Sequence, residues 1–184
     1  MPTRALPRTR ALGLPAAGVL MAALGLLAAC APAHDWRESR SADGAVQVLF
    51  PCKPQQHDRR LPLAGAEVKL SLMACEAGGQ TWGLAVADLS DPARHTQALD
   101  ELAQSAGRNV AAAARSAPLQ VGGATPHAGS RRLWLQGQRP DGQAVQMQQA
   151  VFVHGTRVYQ ATVLGDRVPD AVADTFFASL RVAP

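Results

Sequence analysis

The chain has 184 residues and a formal net charge of +4. It carries no internal repeat and no low-complexity stretch beyond one run of alanines, which excludes a repeat array. A basic balance points to nucleic acid or an anionic surface only if the charge sits on the folded part.

Much of it sits elsewhere. Arg4, Arg8 and Arg10 precede an apolar run from Ala11 to Ala29, and this segment holds no acidic residue. A positive stretch before an apolar one is the layout of a secretory signal. The segment closes on Leu27-Ala28-Ala29-Cys30. That closure resembles the lipobox of bacterial lipoproteins, which is cut just before a cysteine whose thiol accepts a diacylglyceryl group. The run approaches the roughly 20 residues of a membrane span. Its alanines and glycines, with Pro15 inside, make it a poor permanent one. The expectation is that residues 1–29 are a signal peptide, that Cys30 is lipidated, and that residues 30–35 form a short tether. Stable attachment to the membrane takes more than one acyl chain, as in the lipoproteins this segment resembles. Ala31 stands where an aspartate retains such proteins in the inner membrane, so the resemblance implies an outer-membrane lipoprotein facing the periplasm of a Gram-negative bacterium. From Cys30 onward, 15 basic side chains face 14 acidic ones. That balance gives no argument for a nucleic-acid partner. The remaining length suits one ordinary domain, residues 36–184.

From Cys30 to Trp36 the chain reaches at most about 20 Å, so a fold beginning at Trp36 stays close to the membrane. Trp36 itself either caps the sheet or meets the membrane interface or a partner. Trp36–Ser41 and Ala45–Phe50 read as strands around Asp43-Gly44, a strong turn signal. Pro51 stops the second, and 52–62 reads as loop. Val68, Leu70 and Leu72 alternate with polar or flexible residues as in a half-buried strand. Gly78-Gly79 turns the chain into a strand carrying Trp82, Leu84 and Val86, completing a hairpin. A long helix follows. Asp91 suits its N-cap and Pro92 its first position. Leu99, Leu102, Ala106 and Val110 share one face, and the Ala111–Ala114 run extends it to a stop at Pro118. Leu119–Val121 reads as a short strand. Arg131–Gln138, Gln143–Val153 and Arg157–Leu164 read as strands joined at Pro140-Asp141-Gly142 and His154-Gly155. A short helix over Pro169–Ala178 and a last strand with Leu180 and Val182 close the pattern. The fold class is α+β, a mostly antiparallel sheet covered by one long and one short helix.

If Cys30 carries lipid, Cys52 and Cys75 remain. An even pair in an oxidising compartment favours a disulfide; two free thiols or a metal site are the alternatives. No Cys-x-x-Cys is present. His34, His57, His95, His127 and His154 show no i, i+4 pairing of the kind that binds metal on a helix. No nucleophile elbow, phosphate loop or dinucleotide fingerprint occurs. Asp100-Glu101 is placed on the solvent side of the helix. Asp91 is a cap, Trp82 and Trp134 are packing residues, and the Tyr159 hydroxyl is bonded at a sheet edge. No cofactor, metal or catalytic residue is expected.

The order of these signals resembles the PsbP/DcrB-like superfamily. The residues that carry it are Asp43-Gly44 before Val48-Leu49-Phe50-Pro51, Pro54, the hairpin ending near Asp88, and the Asp91-Pro92 helix start. The Arg131–Gln138 hairpin, Arg157-Val158-Tyr159-Gln160 and Phe176-Phe177-Ala178-Ser179-Leu180 complete it. The resemblance spans Trp36–Val182. It implies an antiparallel sheet between helices, and members that mostly bind proteins and are not enzymes; it does not imply one function. No metal ligand of the photosystem members is matched. The expectation is a non-enzymatic, membrane-anchored periplasmic lipoprotein that binds or supports another envelope protein. The alternative is a small-ligand or metal-binding periplasmic module.

Overall fold

A computed structural model describes residues 33–109, 114–139 and 141–183. The signal segment, Cys30, the helix positions Val110–Ala113 and the turn residue Pro140 lie outside the described residues. Ala33–Pro184 is one compact unit.

The strands are β1 (Arg37–Arg40), β2 (Val46–Phe50), β3 (Gln55–Leu63), β4 (Ala66–Ala77), β5 (Gln80–Asp88), β6 (Ala114–Pro118), β7 (Arg131–Gln138), β8 (Ala144–His154), β9 (Arg157–Gly165) and β10 (Arg181–Val182). A 3₁₀ turn over Pro92–Arg94 leads into helix α1 (His95–Asn109), and α2 spans Asp170–Ala178. β3 to β9 form a seven-stranded sheet in the order β3-β4-β5-β9-β8-β7-β6, and β1-β2-β10 form a small second sheet. All of these pairings are antiparallel.

Alternation along the central strands divides the core in two. Ala85, Ala87, Val151, Val153 and Val158 face α1, where they pack on Ala98, Leu99, Leu102 and Ala106. Trp82, Leu84, Phe152, Tyr159 and Val163 face the other way, against Val46, Val48, Phe50, Phe176 and Phe177 from the small sheet and α2. Burial on both faces explains the unbroken apolar stretch Ala150–Val153 in β8.

Several expectations need correction. Residues 55–62, part of the 52–62 stretch read as loop, belong with Leu63 to the edge strand β3, fully paired with β4 from Gln55–Ala74 to Leu63–Ala66. Seven of its nine residues, Gln55–Arg60 and Pro62, are exposed. With no buried face before Leu63 there is no alternation to detect, and its strand state comes from its neighbour. Residues 114–118, read as the end of the long helix, are strand β6 paired with β7. Alanine's helix propensity is a weak prior that sheet pairing overrides. The short strand expected at 119–121 is absent, and those residues begin a loop that runs to Ser130. His34 and Asp35, assigned to the tether, are held by the fold. Asp35 N–H donates to the Pro51 carbonyl at 2.8 Å, and the His34 ring stacks on Trp36 at 5.7 Å. Trp36 packs edge-on against the buried Trp82 at 5.7 Å, which makes it a cap on the core.

Cys52 and Cys75 form a disulfide with Cα atoms 6.1 Å apart, joining the segment after β2 to the end of β4.

Candidate functional site

Charged groups gather at the end of the sheet where β5 meets β9. The Tyr159 hydroxyl donates to Asp43 Oδ2 at 2.7 Å from a fully buried ring on a central strand, not at a sheet edge as expected. The Ser41 hydroxyl also donates to Asp43, and Arg157 Nε lies 3.4 Å from Asp43 and 3.5 Å from Asp88. Burial pushes the Asp43 carboxyl up, but the hydrogen bonds from Ser41, Tyr159 and Ala45 outweigh it and hold it below the ordinary carboxylate range. Asp88 is held low by the Ser90 amide and the Thr156 hydroxyl. Burial and then Asp43 push the Tyr159 phenol well above its ordinary value, so it stays protonated. Each group here has its complement. The cluster is a clamp between β9, the Asp43-Gly44 turn and the β8–β9 turn.

Asp100 and Glu101 are likewise structural. Asp100 pairs with Arg131 at 2.8 Å, and Glu101 Oε2 accepts the Ala64 N–H at 2.8 Å, so both tie α1 to the sheet. Asp91 caps the helix start by accepting the Ala93 N–H at 2.9 Å. His95 and His127 meet edge to face at 6.1 Å. Among the described residues, no three His, Cys, Asp or Glu side chains gather in a way that would hold a metal ion.

A different surface lies beside α2. The small sheet and α2 pack over one half of the large sheet's face, and β6, β7 and the adjoining part of β8 continue beyond them. Register places Arg115, Trp134 and Gln148 in one row across these strands. Arg132, Gln136 and Gln146 flank that row on the same face, because side chains alternate along a strand. The Arg132 guanidinium sits 4.3 Å from the Phe177 ring and 4.8 Å from the Trp134 ring, and Arg115 lies 4.1 Å from Trp134. Stacked guanidinium and aromatic groups attract through the ring quadrupole. Arg132 is also tied to Asp174 at 2.7 Å and to Gln148, whose amide donates to Asp170 at 2.8 Å. These contacts hold Trp134 half-exposed in a fixed orientation, where a buried packing residue was expected. They frame a cavity of about 370 Å³ lined by Arg115, Trp134, Gln136, Gln146, Gln148 and Asp170.

Two properties set this surface apart. Arg132 has a carboxylate partner, whereas Arg115 is exposed and has none among the described residues. Arg115 also belongs to β6, which terminates the sheet. Both edges carry charge and proline of the kind that limits further pairing, Asp58, Arg59, Arg60 and Pro62 on β3 and Arg115 and Pro118 on β6. Between its two, β6 offers Ser116 and Ala117. The sequence carried a signal for this face: Arg132, Trp134 and Gln136 alternate with Leu133 and Leu135. The apolar half of that alternation marks the strand, and the polar half marks this face.

No family model matches the chain, and no curated protein matches it.

Proposed function

We propose that this protein is a lipid-anchored, periplasm-facing lipoprotein of the Gram-negative outer membrane that binds another envelope protein and is not an enzyme. Its fold is PsbP/DcrB-like, a reading supported by the antiparallel sheet between helices. The anchoring rests on Leu27-Ala28-Ala29-Cys30 and on the short tether, since the chain is already held by the fold at His34.

The observation that carries the binding reading is the Arg115–Trp134 stack at the β6 edge. Trp and Arg held rigid at a surface are the residue types that dominate protein interfaces, because little side-chain freedom is lost on association. An open strand edge beside them suits an extended segment that adds main-chain hydrogen bonds. Arg115 favours a carboxylate on that segment.

The test is photocrosslinking in cells from a reactive side chain placed at Ser116, with Asp58 on the opposite edge as the comparison. A reproducible envelope protein captured from position 116 and lost in Arg115→Glu is the expected outcome. Equal capture from both edges would sink the reading. Lipidation is tested separately by fatty-acid labelling, which Cys30→Ala abolishes.

A further inference from the structure

The loop from Leu119 to Ser130 belongs to neither the clamp nor the β6 surface, and it has the features of a built site. Its ends meet, with the Leu119 N–H donating to the Ser130 carbonyl at 3.1 Å. Compact loops closed in this way are frequently functional. It is fastened to three other parts of the fold. Val182 N–H donates to the Gly122 carbonyl at 2.8 Å, Thr125 N–H to the Val153 carbonyl at 3.1 Å, and Gly155 N–H to the Thr125 hydroxyl at 3.1 Å. A loop held this way is rigid before any ligand arrives.

It lines a cavity of about 530 Å³ that is open to solvent on one side, within the roughly 300–1,000 Å³ of ordinary small-molecule sites. The buried Phe152 and Val121 and the partly buried Leu119 and Ala124 supply apolar lining. Among the described residues, no charged side chain lines it. The Thr125 hydroxyl accepts from Gly155 and offers its own proton to the cavity. Ser130 and His127 also line it, but the Ser130 hydroxyl is itself shielded, and His127 accepts the Gly129 N–H on Nδ1 at 3.0 Å with its Nε2 3.5 Å from the Thr96 hydroxyl.

We propose that this cavity binds a small uncharged molecule, apolar over most of its surface and carrying a carbonyl oxygen as hydrogen-bond acceptor. An ester, lactone or ketone fits. A carboxylate does not, because no cation is present to offset the cost of burying its charge. The proposal is independent of the β6 reading, and either can fail alone.

Three probes separate the possibilities by saturation-transfer NMR on the full chain: coumarin, an uncharged lactone; naphthalene, of similar size without a carbonyl; and coumarin-3-carboxylate. Coumarin should bind most tightly and the carboxylate at least roughly tenfold more weakly. Thr125→Val should weaken coumarin by about tenfold and leave naphthalene unchanged. Ala128→Trp and Gln120→Trp, both at exposed positions on the cavity wall, should each abolish coumarin binding while circular dichroism shows the fold intact. Undiminished coumarin binding in both tryptophan variants, no coumarin binding to the unaltered chain, or tighter binding of the carboxylate would each overturn the proposal.

Discussion

The Tyr159 hydroxyl donates to Asp43 at 2.7 Å across 116 positions of chain. Asp43 belongs to the turn before β2 and Tyr159 to a central strand of the large sheet, so this bond fastens the small sheet to the large one. Tyr159→Phe removes the donor and leaves Asp43 with Ser41, the Ala45 amide and Arg157. The expected loss is about 1–2 kcal/mol, read from urea unfolding near neutral pH. An unchanged midpoint would show that the bond is replaceable by water.

The same carboxylate sets an acid limit. The folded pKa of Asp43 and that of Asp88 lie below the ordinary 3.8, so the unfolded chain binds protons more readily than the folded one in that range. Their stabilisation is complete above 3.8 and is lost as pH falls through the folded values. The unfolding midpoint should therefore drop below about pH 4. Asp43→Asn should be less stable near neutral pH and show a shallower acid slope. A slope identical to that of the unaltered chain would exclude Asp43 as a contributor.

The disulfide closes a loop across 23 positions. The Cys52→Ser, Cys75→Ser double variant should lose roughly 3 kcal/mol on the chain-entropy account, measured by denaturant unfolding under matched non-reducing conditions. Thiol titration of the denatured, unreduced chain should find neither cysteine reactive.

Gln149 lies fully buried beneath α1. Its amide donates to the Leu102 carbonyl at 3.3 Å, and its own oxygen has no partner among the described residues. An orphaned buried acceptor costs free energy, and the Leu102 carbonyl also accepts from the Ser105 hydroxyl. Gln149→Leu should be neutral or stabilising by about 1 kcal/mol. Thermal unfolding checks the sign, and a large loss would mean that the polar group has a positive structural role.

Arg132 is held between Phe177 and Trp134 and tied to Asp174. Lysine keeps the charge but not the planar stack. Arg132→Lys should cost about 1–2 kcal/mol and loosen Trp134, visible as higher accessibility of its fluorescence to a soluble quencher. Arg115→Lys, at an exposed position, should leave stability nearly unchanged.

The alternations that bury a face were legible in the sequence. β2, β5, β7, β8 and β9 announced themselves because their apolar residues recur at strand spacing, and Asp91-Pro92 announced the helix start. Two bare cysteines sufficed to suggest the disulfide. The edges were not legible. Gln55–Leu63 is a strand because β4 lines up beside it, and 114–118 is a strand because β7 does. Neither segment buries a full face, and pairing energy leaves no periodic trace in composition. The candidate sites share that property. Arg115 and Trp134 are 19 positions apart and meet only through register, and the 119–130 loop lines a cavity only because Val153, Gly155 and Val182 hold it. The sequence by itself determined the α+β pattern of strands and helices and the cysteine pair, since each rests on local pattern or count. Tertiary structure alone decided which strands lie at the edges, which of Arg115 and Arg132 has a carboxylate partner among the described residues and where the cavity forms, since each depends on residues far apart in the chain.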